Sequence, residues 1–109
     1  MIDATLAALA DPTRRSVVDL LREEPRRAGD LAVALSTSAP AMSRHLRVLR
    51  QAGLVEPDHV EGDARVRLYR LRPEPFDELK RWVAEVEAFW GAELGGFQAH
   101  VEATRGKRT

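Results

Sequence analysis

The sequence has 109 residues, no cysteine, and 17 basic side chains against 17 acidic ones. A chain of this length forms one small domain, and without cysteine it has no disulfide, no thiolate metal ligand and no cysteine nucleophile. No apolar run is long enough to span a membrane, and the N-terminal residues lack the pattern of a secretory signal, so we expect a cytoplasmic protein.

The charges are unevenly distributed although their sum is zero. Residues 38–72 carry seven arginines and four acids, whereas residues 74–102 carry seven acids and two basic residues. A basic segment beside an acidic one is typical of a protein that binds a polyanion with one part and faces protein or solvent with the other. Two ordinary solvated faces would give the same split, so charge alone leaves both interpretations open.

Three short helices are predicted first. The first has apolar residues at helical spacing: Ile2, Leu6 and Leu9. The second is predicted over residues 12–24, with Asp11 as its N-cap and Pro25 ending it. The third is predicted over residues 28–35.

A fourth helix is amphipathic with one basic face. Its predicted N-cap is Ser38, its first turn holds Pro40, and Gly53 ends it. The apolar positions are Met42, Leu46 and Leu49. The opposite face carries Ser43, Arg44, Arg47 and Arg50, with His45 to one side. Because residues 38–51 contain no acid, this face predicts an anionic partner.

A hairpin and a long helix complete the chain. Extended runs over 54–60 and 65–71 are joined by a turn at Gly62. After Pro73 and Pro75 a helix is predicted to about residue 100, although Gly91, Gly95 and Gly96 leave its continuity open. Its apolar positions are Leu79, Trp82, Val83, Val86, Phe89, Trp90, Leu94, Phe97 and Val101. We predict one domain over 1–103 and a flexible basic tail over 104–109.

The order of these elements predicts a mainly α-helical winged helix-turn-helix fold with a small β-hairpin wing. Two short helices flank a hydroxyl-rich turn at residues 36–38, and an arginine-bearing hairpin follows the second of them. A helix of this kind fits the major groove of DNA, while arginines on a hairpin reach the adjacent backbone or minor groove.

The sequence resembles the ArsR/SmtB-like winged-helix repressors. The matching stretches are residues 8–15, residues 31–55 and Tyr69 to Leu71, and the most specific is Ser43-x-His45-Leu46-x-x-Leu49 leading to Ala52-Gly53-Leu54-Val55. The resemblance implies a homodimer formed through the first and last helices, with the helix that begins near Ser38 reading DNA. The aromatic last helix resembles that of the metal-independent subgroup.

The sequence departs from the family pattern at three places. Ala39 stands where many members have a glutamine that reaches a base edge. Residues 30–33 contain no cysteine, and His100 stands alone on the last helix. The other histidines, His45 and His59, lie in the recognition helix and the wing, so we expect no metal site and no cofactor.

The DNA-binding residues predicted from this reading are Ser38, Pro40, Ala41, Ser43, Arg44, His45, Arg47, Arg65 and Arg67. Ser38 is equally well explained as an N-cap alone, and His45 as a histidine packed at the helix edge. Arg14 and Arg15 either contact phosphate or pair with nearby acids. The predicted dimer interface contains Ile2, Leu6, Leu9, Trp82, Val86, Phe89, Trp90 and Phe97, because together they form a larger apolar patch than a monomer usually exposes.

The function that we predict is regulation of transcription by sequence-specific binding to an imperfect palindrome in duplex DNA. We expect a homodimeric repressor that occludes a promoter, without metal and without a membrane partner. Two alternatives stay open: a protein-interaction module that has lost DNA binding, as Ala39 and the zero net charge would allow, and a repressor controlled by a small molecule between the aromatic helices. We expect no enzyme, because no nucleophile adjoins a base and no glycine-rich phosphate loop is present.

Overall fold

The computed structural model describes residues 2–60 and 63–93, which form five helices and a two-stranded antiparallel hairpin. The elements are α1 (Ile2–Leu9), α2 (Pro12–Leu21), α3 (Ala28–Ala34), α4 (Ala39–Gln51), β1 (Val55–Val60), β2 (Asp63–Leu71) and α5 (Pro73–Glu93). The chain divides into two compact units, Met1–Glu78 and Leu79–Thr109. The order of elements confirms the predicted mainly α fold with a hairpin wing.

Two helix boundaries differ from the predicted ones. Helix α2 ends at Leu21, three residues earlier than predicted. Helix α5 begins at Pro73 and contains Pro75 in its first turn. Both prolines fit there because the first N–H groups of a helix have no partner within it. Helix α5 continues through Gly91, and the predicted continuation to residue 100 lies outside the described residues.

Side-chain caps fix where α2 and α4 begin. Oδ1 of Asp11 accepts a hydrogen bond from the backbone N–H of Arg14 at 3.1 Å. Oγ of Ser38 accepts one from the backbone N–H of Ala41 at 3.2 Å. Both N-caps were predicted from the sequence and are confirmed. Each cap satisfies an N–H that would otherwise lack a partner, which is worth about 1 kcal/mol in a typical helix.

The core lies in the first unit and contains residues from α1 to α4 and from the start of the wing. Its buried apolar residues are Ala8, Val17, Leu21, Leu31, Ala32, Met42, Leu46, Leu49, Leu54 and Val55. Met42, Leu46 and Leu49 are at most 2% exposed, as their spacing predicted. Burying one such side chain contributes roughly 1.5–3 kcal/mol, so this face fixes the rotation of α4 and directs its basic face outward.

Backbone hydrogen bonds hold the base of the wing. Tyr69 of β2 and Arg26, in the connection between α2 and α3, exchange two of them, at 2.7 and 3.1 Å. The N–H of Arg72 donates to the carbonyl of Leu54 at 2.9 Å. Tyr69 and Leu71 pack against the core, so the first unit carries the hairpin by one face. The register shifts between His59 and Val60.

Candidate nucleic-acid interface

The outward surface of α4 is the candidate interface. Its exposed residues, counting the N-cap, are Ser38, Ala39, Pro40, Ser43, Arg44, Arg47, Val48, Arg50 and Gln51. Ala41 and His45 are half-buried at its border. Five of the nine predicted DNA-binding residues therefore share this surface, and Ala41 and His45 lie at its border. We call the three arginines Arg44, Arg47 and Arg50 the arginine face.

The arginine face has no acidic partner in the described part of the chain. None of its three guanidinium groups forms an ion pair or a side-chain hydrogen bond with another described residue. Some arginines elsewhere are paired: Arg26 lies 2.8 Å from Glu23, and Arg22 lies 3.9 Å from Asp19. The arginine face is therefore a strip of uncompensated positive charge, which attracts a polyanion such as the DNA backbone.

The N-terminus of α4 offers few backbone donors. Pro40 has no N–H, the N–H of Ala41 donates to Ser38 Oγ, and that of Met42 donates to the Ser38 carbonyl at 2.9 Å. Ser38 uses its oxygen as an acceptor in this cap, while a serine hydroxyl also carries a proton to donate. The two interpretations of Ser38, N-cap and phosphate ligand, are therefore compatible.

The wing divides into a paired and an unpaired part. The guanidinium of Arg70 pairs with Glu56 and with Asp58, the latter at 2.9 Å. Arg72 lies 3.5 Å from Glu56 and 3.6 Å from Glu74. In this cluster three carboxylates offset the charges of both arginines, although both arginines contributed to the basic character of the sequence.

The predicted wing contacts lie nearer the turn. Arg67 stands opposite His59 in the register, is exposed, and forms no ion pair with a described residue. Arg65 belongs to β2, but its side chain lies outside the described residues. Among the wing arginines whose side chains are described, Arg67 is thus the one without an ion pair.

Arg14 and Arg15 cap the end of α1. Nε of Arg14 donates to the carbonyl of Ala8 at 2.6 Å, and Arg15 donates to the carbonyl of Leu9 at 2.7 Å. Neither pairs with an acid among residues 2–60 and 63–93, so the predicted alternative of acidic partners is wrong there. Their charges instead stabilise the negative end of the α1 dipole.

A side-chain contact joins α2 to α4. One terminal nitrogen of Arg14 lies 3.5 Å from Nδ1 of His45, within hydrogen-bonding distance. The sequence did not predict this contact, because residues 31 positions apart share no periodic pattern. Asp11 belongs to the same cluster. The backbone N–H of Arg14 lowers the pKa of the Asp11 carboxyl below its usual range, and the charge of Arg14 acts in the same direction, while desolvation opposes them.

Two sets of apolar side chains correspond to the predicted dimer interface. On α1, Leu6 is 42% exposed, while Ile2 and Leu9 are half-buried and Leu9 packs against the core. On α5, Trp82, Phe89 and Trp90 are exposed by 44%, 61% and 53%, and Val86 is half-buried. Phe97 lies outside the described residues.

The described residues contain neither a cluster of metal ligands nor a helix that could span a membrane. Within 2–60 and 63–93, no three histidine, aspartate or glutamate side chains come together as a metal site would require. Over the same ranges, no helix is both long and apolar enough to cross a bilayer.

Comparisons with known proteins identify the relatives of this chain. The model of the bacterial regulatory protein ArsR family matches residues 11–57. HTH-type transcriptional regulator Rv2034 of Mycobacterium tuberculosis is 38% identical over 101 residues, which are 93% of this chain and 89% of that protein. Transcriptional repressor SdpR of Bacillus subtilis is 44% identical over 55 residues, which are 50% of this chain and 60% of SdpR.

A solved structure of a winged helix-turn-helix domain has a similar fold. The homodimeric winged helix-turn-helix DNA-binding domain Mb0332 of Mycobacterium bovis, a possible ArsR-family regulator, superposes with a TM-score of 0.63. It is 27% identical, and the match covers 84% of this chain and 82% of that one.

Proposed function

This chain belongs to the ArsR family of bacterial transcriptional regulators and has its DNA-binding winged helix-turn-helix fold, and from that premise we propose that it is a homodimeric, metal-independent repressor acting by promoter occlusion. The dimer would bind a promoter site and prevent RNA polymerase from occupying the same DNA. SdpR, named a transcriptional repressor, supports the sign of the regulation.

The observation that carries this proposal is the arginine face of α4. No acidic side chain in the described part of the chain pairs with Arg44, Arg47 or Arg50. Their positive charges are therefore not offset by a neighbouring carboxylate. Arginine donates two parallel hydrogen bonds to guanine or binds phosphate, and recognition helices contact bases through their N-terminal residues. We therefore assign base contacts to Arg44 and Arg47. We assign phosphate contacts to Ser38 and Ser43, and to Arg65 and Arg67 of the wing.

Dimerisation would cover the exposed apolar residues of α1 and of α5. Single exposed apolar residues are ordinary, but three large aromatic side chains exposed within residues 82–90 of one helix favour an interface. The homodimeric Mb0332 domain supports this assembly. Two recognition helices related by a twofold axis read half-sites about 34 Å apart, so the operator is an imperfect palindrome.

The ligands that the sequence provides support the proposal of metal independence. The chain has no cysteine and three histidines at positions 45, 59 and 100, far apart in the sequence. Transition-metal sensors need several soft or imidazole ligands at one site. The proposed repressor therefore binds its operator in the presence of a chelator.

The test is fluorescence anisotropy of the purified protein with its own upstream promoter DNA and with a scrambled duplex, at several salt concentrations and with chelator. We expect tight, salt-dependent and sequence-selective binding that the chelator leaves unchanged. Equal, weak binding to both duplexes would favour the interaction module instead. Loss of binding on chelation would contradict metal independence.

A further inference from the structure

We propose that Arg14 of α2 is a positioning residue that holds His45 of α4 in one tautomer, so that the ring offers its Nε2–H to a DNA phosphate. The inference rests on the proposed DNA-binding function and assigns a role to two residues outside the arginine face. Four contacts of Arg14 carry it, and all lie within the first unit.

The Arg14 side chain is fixed before any ligand binds. Its Nε donates to the carbonyl of Ala8 at 2.6 Å, and a second nitrogen lies 3.4 Å from the carbonyl of Ala7. Its own backbone N–H is bound to the N-cap Asp11 at 3.1 Å. The guanidinium is therefore held between the end of α1 and the start of α2, and the nitrogen that faces His45 has little freedom to move.

The chemistry of the two side chains determines the tautomer. A guanidinium carries donors and no acceptor, so in the 3.5 Å contact Nδ1 of His45 must be the acceptor. A neutral imidazole with an unprotonated Nδ1 carries its proton on Nε2, and the partner of one ring nitrogen sets the state of the other. Nε2 lies at the distal end of the ring and forms no hydrogen bond with a described residue.

The position of His45 on α4 suits a backbone contact. His45 lies seven residues after the N-cap Ser38, which is close to two helical turns, so both side chains lie along the same border of the helix. The ring is half-buried, next to the exposed Arg44. A neutral N–H donor at the edge of a recognition helix binds the phosphates that flank the groove, and such contacts fix the orientation of the helix on DNA.

The decisive experiment is a double-mutant cycle measured as operator affinity by fluorescence anisotropy. We expect His45→Ala to weaken binding about tenfold, the cost of one hydrogen bond to a charged acceptor, and Arg14→Ala to weaken it by a smaller factor, because the ring keeps a donor but is no longer held in one tautomer and orientation. The variant carrying both changes should bind no more weakly than His45→Ala alone, because Arg14 acts only through His45.

Arg15→Ala is the matched control. Arg15 also caps α1, through the carbonyl of Leu9, but it has no contact with His45. We expect Arg14→Ala and Arg15→Ala to lower the melting temperature alike, whereas Arg15→Ala leaves the tautomer of the His45 ring as in the wild type. An equal change of tautomer in the two variants would show that Arg14 acts only as a helix cap and would overturn the inference.

The wild-type protein supplies an independent readout. Nitrogen-15 chemical shifts of the His45 ring, recorded where the ring is neutral, should show Nε2 protonated and Nδ1 bare, and Arg14→Ala should give a mixture of tautomers. Protonated Nδ1 in the wild type, or additive losses in the cycle, would overturn the inference while DNA binding stands. A wild-type protein that binds no operator would overturn the proposed function, and the phosphate contact with it.

Discussion

Ser36 and Gly53 occupy equivalent positions at the ends of α3 and α4, and both have a left-handed backbone, with φ of 52° and 78°. In each case the next residue donates its N–H to the carbonyl five positions earlier, at 2.9 Å. Both helices thus end in a Schellman motif, one with glycine and one with serine. This conformation costs a residue with a Cβ roughly 1–2 kcal/mol. Ser36, in the turn before the recognition helix, is therefore strained.

Substitutions at Ser36 and Gly53 should change the stability of the fold in opposite directions. Ser36→Gly should stabilise the fold by roughly 0.5–1 kcal/mol, because it relieves the strained conformation at some cost in unfolded-state entropy. Gly53→Ala should destabilise it by about 1 kcal/mol or more, and conformation is the cause, since an added Cβ would meet Pro75 at an ordinary 3.8 Å. Urea denaturation of both variants checks the opposite signs. Destabilisation by Ser36→Gly would mean that the serine side chain makes a stabilising contact.

The second prediction separates the two roles of Ser38. Ser38→Ala should cost about 1 kcal/mol of stability through loss of the N-cap. Ser38→Asp should keep that stability, since aspartate caps equally well, but weaken operator binding because its carboxylate repels phosphate. Thermal denaturation and anisotropy measure the two effects. If Ser38→Asp binds the operator as the wild type does, Ser38 lies away from phosphate.

The third prediction concerns base readout by Arg44. Arg44→Ala should cost on the order of 1–3 kcal/mol of operator binding and relax specificity at one base position. Affinities for a series of operators with single base-pair changes check this. Arg22→Ala is the control, because Arg22 is the exposed C-cap residue of α2 and is paired with Asp19. Equal losses on operator and scrambled DNA would identify Arg44 as a phosphate ligand instead.

The fourth prediction compares the two parts of the wing. Arg67→Ala should weaken binding to all sequences alike and reduce the slope of log K against log salt by about 0.9, the contribution of one phosphate contact. The double substitution Glu56→Gln and Arg70→Gln removes an ion pair without changing the net charge. The slope of log K against log salt should therefore equal that of the wild type. A larger effect from the double substitution would place the DNA contact on the ion-paired part of the wing.

Local features of this fold were predictable from the sequence, and contacts between distant elements were not. The N-caps Asp11 and Ser38 and the buried face of α4 depend on neighbours within one or two turns, so spacing and residue type revealed them. The ion pairs of Arg70 depend on which residues the hairpin register places opposite one another, a register that composition does not determine. The contact of Arg14 with His45 depends on the packing of two helices and has no local signal.

The central claim, that the arginine face of α4 binds DNA, is tested most directly by amide chemical-shift mapping of the protein with and without its operator duplex. We predict the largest changes in residues 38–51 and on β2 around Arg67, with small changes in α5 from residue 79 to residue 93. Unchanged amides throughout α4, with the perturbations concentrated on α5, would contradict the account.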